Sequence, residues 1–457
     1  MSIAISRATR SSVATSKDGA VSALDVWAFV LPAFSFIQIT LIGQLIASEI
    51  LALAMLPWLW GARDRLPIPR WFVVLCAGWF VSQIVTDLVV GSLFADYARG
   101  WAAIAFTFTD FAAVLVLVST QRRARLFALG LAAGGVVGYL IVPNVYAAGD
   151  PWKWALAIPV GFTLAAVLSG SIGARRRWLT ASAFMAFGAV NLWLGYRSLG
   201  GVSLLTAGYL ILRIALVRRG LIHHRAFLRS VGGLVFLALA VAGTLQLYDA
   251  AASQGLLGSD AQAKYHSESG SLGVLIGGRS EFLASSQAVV DSPLIGHGSW
   301  AKDLTYVTLL TNRLDALGYE IGAGASDLGL IPAHSYLMQS WVWAGLMGGL
   351  FWLAALAIAT WLLADPWSMR LDVSPLIVFS TMLLIWDIAF SPYGSGARFL
   401  ACYGLAVCLM GLHLVRSARS AHPAGASVAQ AAANRGHAGD PGTARTRSVL
   451  EQPASGE

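Results

Sequence analysis

Apolar residues in this chain come in long continuous runs rather than in alternation with polar ones. The runs fall at about 26–43, 46–62, 71–91, 101–120, 125–147, 152–173, 179–196, 201–218, 228–248, 335–363, 373–391 and 398–416. A span of roughly 20 apolar residues crosses a bilayer as an α-helix, whereas β-barrel strands would alternate in dyads. The pattern therefore predicts an all-α integral membrane protein with about twelve transmembrane helices. The first two runs form a tight pair around Gly43 and Gln44. One stretch departs from this rhythm, a long polar segment from about 249 to 333 with short helical patterns inside it. The expected organisation is a polar N-terminal segment (1–22), nine helices (23–248), one large loop (249–333), three helices (334–416) and a tail (417–457). The tail is rich in Ala, Gly, Ser, Pro and Arg, a composition that predicts disorder.

Composition agrees with the pattern. Of 457 residues, 57% are hydrophobic and only 12% charged, with a mean hydropathy of +0.68. A soluble domain would carry about a quarter charged residues. The net charge of +8 does not point to nucleic acid, because most of the arginines sit in short clusters between apolar runs. Arg63/Arg65/Arg70, Arg122/Arg123/Arg125, Arg175–Arg177, Arg218/Arg219/Arg225/Arg229, Arg370 and Arg416/Arg419 occupy alternate connections. By the positive-inside rule these connections are cytoplasmic, with both termini, and the 249–333 loop is outside. In a bacterium that places the protein in the inner membrane and the loop in the periplasm. The first apolar run is too long for a signal peptide and no small-residue cleavage site follows it, so it reads as an uncleaved span. Cys76, Cys402 and Cys408 all lie within apolar runs and read as packing residues.

Few cations fall on the outer side, and these are informative. Arg99, Arg197, Arg279 and Arg398 would surround an anionic headgroup, since the planar guanidinium fork matches phosphate and keeps its charge. The plain alternative is that interfacial arginines snorkel to lipid phosphates, which suits Arg99 and Arg398 better than the glycine-flanked Arg197 and Arg279. His334 opens an apolar run directly after the loop, where an imidazole titrating near neutrality can take a proton from a hydroxyl. His297, between Gly296 and Gly298, reads as part of a turn. The loop acids Glu268, Glu281, Asp291, Asp303, Asp315, Glu320 and Asp327 show no metal-ligand spacing, so neither metal nor cofactor is expected. Asp110 and Asp387 fall within spans, and Asp387 is close enough in sequence to pair with Arg398. The segment Gly345–Gly349 reads as small-residue helix packing.

Three features in order resemble a known family. They are Gly195-Tyr196-Arg197-Ser198 at a span end, then Gly278-Arg279 leading to Ser292-Pro293-Leu294-Ile295-Gly296-His297-Gly298, then His334-Ser335-Tyr336-Leu337 through Ala344-Gly345-Leu346-Met347-Gly348. The sequence resembles the O-antigen ligase and O-antigen polymerase superfamily of bacterial inner-membrane glycosyltransferases, over about half its length. Ser335 stands where that family commonly has Asn. The resemblance implies a metal-independent transfer of a glycan from undecaprenyl diphosphate to a sugar hydroxyl, either on lipid A-core or on another lipid-linked repeat. Arg197 and Arg279 would bind the diphosphate and stabilise the leaving group, and His334 would be the general base. Arg398 and Arg99 would assist binding. Other polysaccharide-assembly proteins are possible partners, as are exopolysaccharides among the products. The rival reading is a transporter or flippase of lipid-linked sugars. A non-catalytic assembly subunit is a third, and it expects the Arg and His residues to be replaceable.

Overall fold

The computed structural model describes residues 21–218, 249–256, 279–319 and 329–437, apart from short gaps at 41–42, 63–65, 144, 170–173, 366, 369–370 and 372, together with scattered positions between 232 and 265. The expected span at 228–248 and the loop acids Glu268, Glu320 and Asp327 therefore lie largely or wholly outside the described residues. Among the described residues, six helices are long and apolar enough to cross a membrane, and four shorter apolar helices accompany them. The chain is an all-α, multi-pass membrane protein.

In chain order the elements are α1 (Ala23–Ala33), a two-stranded hairpin of β1 (Gln38–Thr40) and β2 (Gln44–Ile46), α2 (Ala47–Trp60), α3 (Arg70–Val90), α4 (Phe94–Leu117) and α5 (Gln121–Ile141). After the short α6 (Val145–Gly149) come α7 (Ala157–Leu168), α8 (Ala174–Trp193) and α9 (Arg197–Arg218). The large loop contributes α10 (Phe282–Asp291) and α11 (Leu304–Ala316). The chain then closes with α12 (Tyr336–Ala344), α13 (Leu346–Ala364), α14 (Pro375–Phe390) and α15 (Ser395–His437). The chain forms two compact units that divide at Gly411, and the helix packing below lies within the first of them. Helix α15 continues past the point where the tail was expected to become disordered. Its continuation is alanine-rich, and alanine is the strongest helix former.

Three expected spans look different. The pair 26–43 and 46–62 is not two full helices. Instead α1 runs 11 residues into a 3-10 turn, the hairpin follows, and α2 runs 14 residues. The cause is local: Ile37-Gln38-Ile39-Thr40 alternates β-branched with polar residues, a strand pattern inside an apolar run. The expected span 335–363 is broken into α12 and α13 at Gly345, which sits at φ 66, ψ −153. A Cβ there would lie 2.1 Å from the Leu294 carbonyl oxygen, so only glycine fits. Gly348 does the close packing expected of it, with the Ser340 carbonyl 2.2 Å from where its Cβ would be.

Breaking a helix inside a membrane frees carbonyls that must be satisfied by protein. The loop at 294–299 supplies the donors. His297 N–H donates to Val342 O (2.7 Å) and Gly298 N–H to Trp343 O (3.1 Å). Helix α3 adds two side chains, Ser82 Oγ to Ala344 O (2.7 Å) and Gln83 Nε2 to Trp343 O (3.2 Å). One turn on, Asp87 takes hydrogen bonds from Ser299 N–H (2.6 Å), Ser299 Oγ (2.7 Å), Ser92 Oγ (2.7 Å) and Trp101 Nε1 (2.9 Å). Gly296 and Gly298, at φ 89 and 91, turn the loop so that these donors face the helices.

The contacts also sort the connections into two ends. At one end Asp25 meets Arg122 and Arg123 (3.5 and 3.7 Å), and Ser374 Oγ donates to Ser169 Oγ (2.6 Å). At the other, the hairpin, the starts of α4 and α15, and the loop around 296–302 come together through Lys302–Asp96 and Arg398–Gln44.

Gly345→Ala is expected to cost about 3 kcal/mol or more, from strain plus a backbone clash, and Asp87→Ala a comparable amount by stranding its donors. Gly149→Ala, with nothing within 4 Å and an ordinary φ, is expected within about 0.5 kcal/mol of the parent. Thermal unfolding in detergent reads all three; equal midpoints would contradict the role of the Gly345 break.

Candidate functional site

Arg279 lies in the turn that leads into α10, and Glu281 is the residue before that helix begins. The α10–α11 pair is tied together through Arg313, which donates to the Leu283 carbonyl and to Gln287 Oε1 (3.4 Å). His334 is set by its neighbour: Ser335 Oγ accepts from Met338 N–H (3.0 Å), capping α12, and donates to Ile388 O on α14 (3.0 Å). Ser335 is thus both a helix cap and a strap to α14.

These anchors bring His334 Nδ1 to 3.7 Å from Glu281 Oε1, with the two side chains 39% and 32% exposed. Arg279 is within electrostatic reach of His334, of Asp387 at the end of α14, and of Tyr196 in the turn between α8 and α9. Asp387 in turn accepts from Ser391 Oγ (2.7 Å). Partial burial holds the His334 imidazole below its ordinary value; the Arg279 charge pushes the same way and Glu281 opposes it. At neutral pH the ring is therefore neutral and able to accept a proton, with a carboxylate beside it to steady the cation that would form.

The expected residues divide. Arg279 and His334 come together. Arg197 starts α9, half-buried, directly after the Tyr196 that reaches Arg279. Arg398 and Arg99 belong to a second place. Both line a cavity of about 590 Å³ with Trp300, Gln44 and Phe106. Arg398 pairs with the buried Glu49 (2.8 Å), not with Asp387, because the hairpin and α2 occupy the space beside it. Asp110, deeper along α4, feels Glu49 and Arg398, and among the described residues neither of its oxygens has a hydrogen-bond partner.

His297 is structural, as its glycine neighbours suggested: Nε2 lies 2.8 Å from Ala288 O and the ring stands edge-on to Tyr306. Asp291 and Asp303 hold Tyr306 and the start of α11. Glu281, Asp387 and Tyr196 are site residues that sequence reasoning did not assign. Asp387 is an acid inside a span, which was a usable signal; Glu281, one acid among nine in the loop, offered none. The three cysteines are buried and free. Among the described residues no group of three or more His, Cys, Asp or Glu is arranged to hold a metal.

The imidazole environment makes a directional prediction. A lowered pKa means that the neutral form already predominates at the ordinary imidazole value of 6.5 and is lost only as pH falls further. Arg279→Gln removes a repelling cation and should raise the His334 pKa, whereas Glu281→Gln removes an attracting anion and should lower it. The pH dependence of His334 modification by diethylpyrocarbonate, mapped by peptide analysis, reads both shifts. Shifts in the opposite sense would contradict this electrostatic arrangement.

Compared with known proteins, the chain matches no family model, no curated protein and no solved structure.

Proposed function

We propose that the protein is a membrane glycosyltransferase that moves a glycan from a polyprenyl diphosphate, undecaprenyl diphosphate in a bacterium, to a sugar hydroxyl at the outer face of the inner membrane. The observation that carries this reading is the juxtaposition of His334, Glu281 and Arg279. A neutral imidazole beside a carboxylate suits proton abstraction from a hydroxyl, and an adjacent guanidinium suits the charge that grows on a departing diphosphate. The sequence resemblance supplies the donor class. In the reaction His334 takes the acceptor proton as the new C–O bond forms. The glycosyl–phosphate bond breaks, and its electron pair leaves on the diphosphate, which Arg279, assisted by Arg197, stabilises. No residue in this scheme asks for a metal.

A second reading, a transporter or flippase of lipid-linked sugars, rests on the helix broken at Gly345, since discontinuous helices often line transport sites. One assay separates the two. Purified protein receives a lipid-diphosphate-linked glycan and an acceptor glycan, with EDTA present. The transferase reading expects release of the polyprenyl diphosphate in EDTA, reduced about a hundredfold or more in His334→Ala. Release unaffected by both His334→Ala and Arg279→Ala would end the mechanism, and translocation without bond formation would favour the flippase.

A further inference from the structure

The two helices of the large loop differ in what they leave uncovered. On α11 the buried residues are Tyr306, Val307 and Leu310, and the exposed Thr305, Thr308, Asn312 and Asp315 form one polar stripe at helical spacing. Helix α10 is apolar on two sides. Ala284 and Ala288 pack inward with Tyr306, Ile331 and Val342. Helical spacing turns Phe282 and Val290 away from them, with Ser286 the polar residue between, and the two are 58% and 70% exposed. The polar edge of α10 is turned to α11: Asp291 accepts from Tyr306 Oη (2.8 Å) and Gln287 Oε1 from Arg313 (3.4 Å). The apolar side continues beyond the helix. Leu294 and Ile295 are exposed too, and the Ile295 carbonyl accepts from Thr86 on α3, next to the exposed Val85. Helix α3 is long and apolar enough to cross a membrane, so that exposed side faces lipid. Trp341 joins the same place, donating through its indole to Pro293 O (2.9 Å).

We propose that the apolar side of α10 is seated in the bilayer surface at that end of the bundle, among headgroups and the first part of the acyl chains, with α11 turned to water. A helix with one apolar and one polar side settles in that plane, and tryptophan is at home there. Single exposed apolar residues would need no account, but these extend the surface of a lipid-facing helix, which is why the occupant is lipid and not a protein partner. The seat stands by itself. A second step rests on the transferase reading. Arg279 lies in the turn before α10 and Phe282 is the first residue of the helix, so a guanidinium and a lipid-facing ring are less than one turn apart. A polyprenyl diphosphate would then reach the His334 cluster with its tail along Phe282, without leaving the membrane.

Nitroxides placed singly in the full chain test the seat, through Phe282→Cys, Val290→Cys, Thr308→Cys and Asn312→Cys, with Val85→Cys on α3 as the lipid reference. The three native cysteines are buried and do not compete for label. The protein is held in nanodiscs of phosphatidylethanolamine and phosphatidylglycerol, and collisions are read with oxygen, which concentrates among acyl chains, and with a water-soluble nickel chelate. The ratio is expected to favour oxygen at 282 and 290, as at 85, and to favour nickel at 308 and 312. A ratio at 282 and 290 like that at 308 and 312 would put α10 in water. Poor access of both reagents would mean that another part of the chain or a second copy covers it. Either result overturns the seat. For the second step, Phe282→Asp should raise the KM of a polyprenyl-linked donor by about tenfold and leave that of a donor on a water-soluble geranyl chain near the parent value. An equal rise for both would overturn the path along α10. If the nitroxides report lipid but no glycan is ever transferred, the seat stands and the transferase reading fails.

Discussion

The buried carboxylate of Asp87 holds this structure to its working shape. In a membrane a lone carboxylate is costly, but this one takes four short hydrogen bonds, two of them from a single residue of the loop, Ser299. Thr86, beside it, donates to the Ile295 carbonyl, and Ser82 and Gln83 reach the last carbonyls of α12. A polar stripe on α3 therefore fastens a loop that would otherwise have little to hold it at a helix end. The break at Gly345 and the loop satisfy each other: one has carbonyls without partners, and the other has amides to offer.

The cluster around His334 follows from that fastening. Its members come from four places in the chain, at 196, 279–281, 334 and 387, and no single element carries more than one of these segments. The turn before α10 delivers Arg279 and Glu281 because α10 and α11 pack against α12 over Ala284, Ala288, Tyr306, Ile331 and Val342. Ser335, tied to α14, fixes where His334 emerges. Arg279 acts electrostatically on His334, Asp387 and Tyr196, and its charge helps to depress the imidazole pKa. On the proposed transferase reading, a diphosphate would enter a site whose charges are already arranged.

Helical class and several of the long apolar helices were legible in the sequence, because hydropathy acts locally, and Arg279 and His334, both singled out there, lie within electrostatic reach of each other. What was missed depended on geometry that local patterns do not encode. The hairpin at 38–46 was hidden by its apolar setting, although its β-branched alternation was visible. The break at Gly345 looked like packing, since glycine serves both ends. Asp87 was overlooked inside an apolar run, yet Ser82, Gln83, Thr86 and Asp87 fall on adjoining faces of one helix, a polar stripe that a helical projection reveals. Asp387 was paired with the nearest cation in sequence, whereas Arg398 found Glu49, much farther along the chain.

That last pairing has a bearing on how the protein is made. Glu49 and Arg398 are 349 residues apart, and both are buried. During synthesis α2 enters the membrane with its carboxylate long before the ribosome reaches the arginine that will answer it, an interval on the order of tens of seconds. Until then Glu49 is without the partner that it has in the folded chain. The Glu49–Arg398 ion pair, and with it the bond from Arg398 to Gln44 of the hairpin, can therefore form only once the start of α15 has been made.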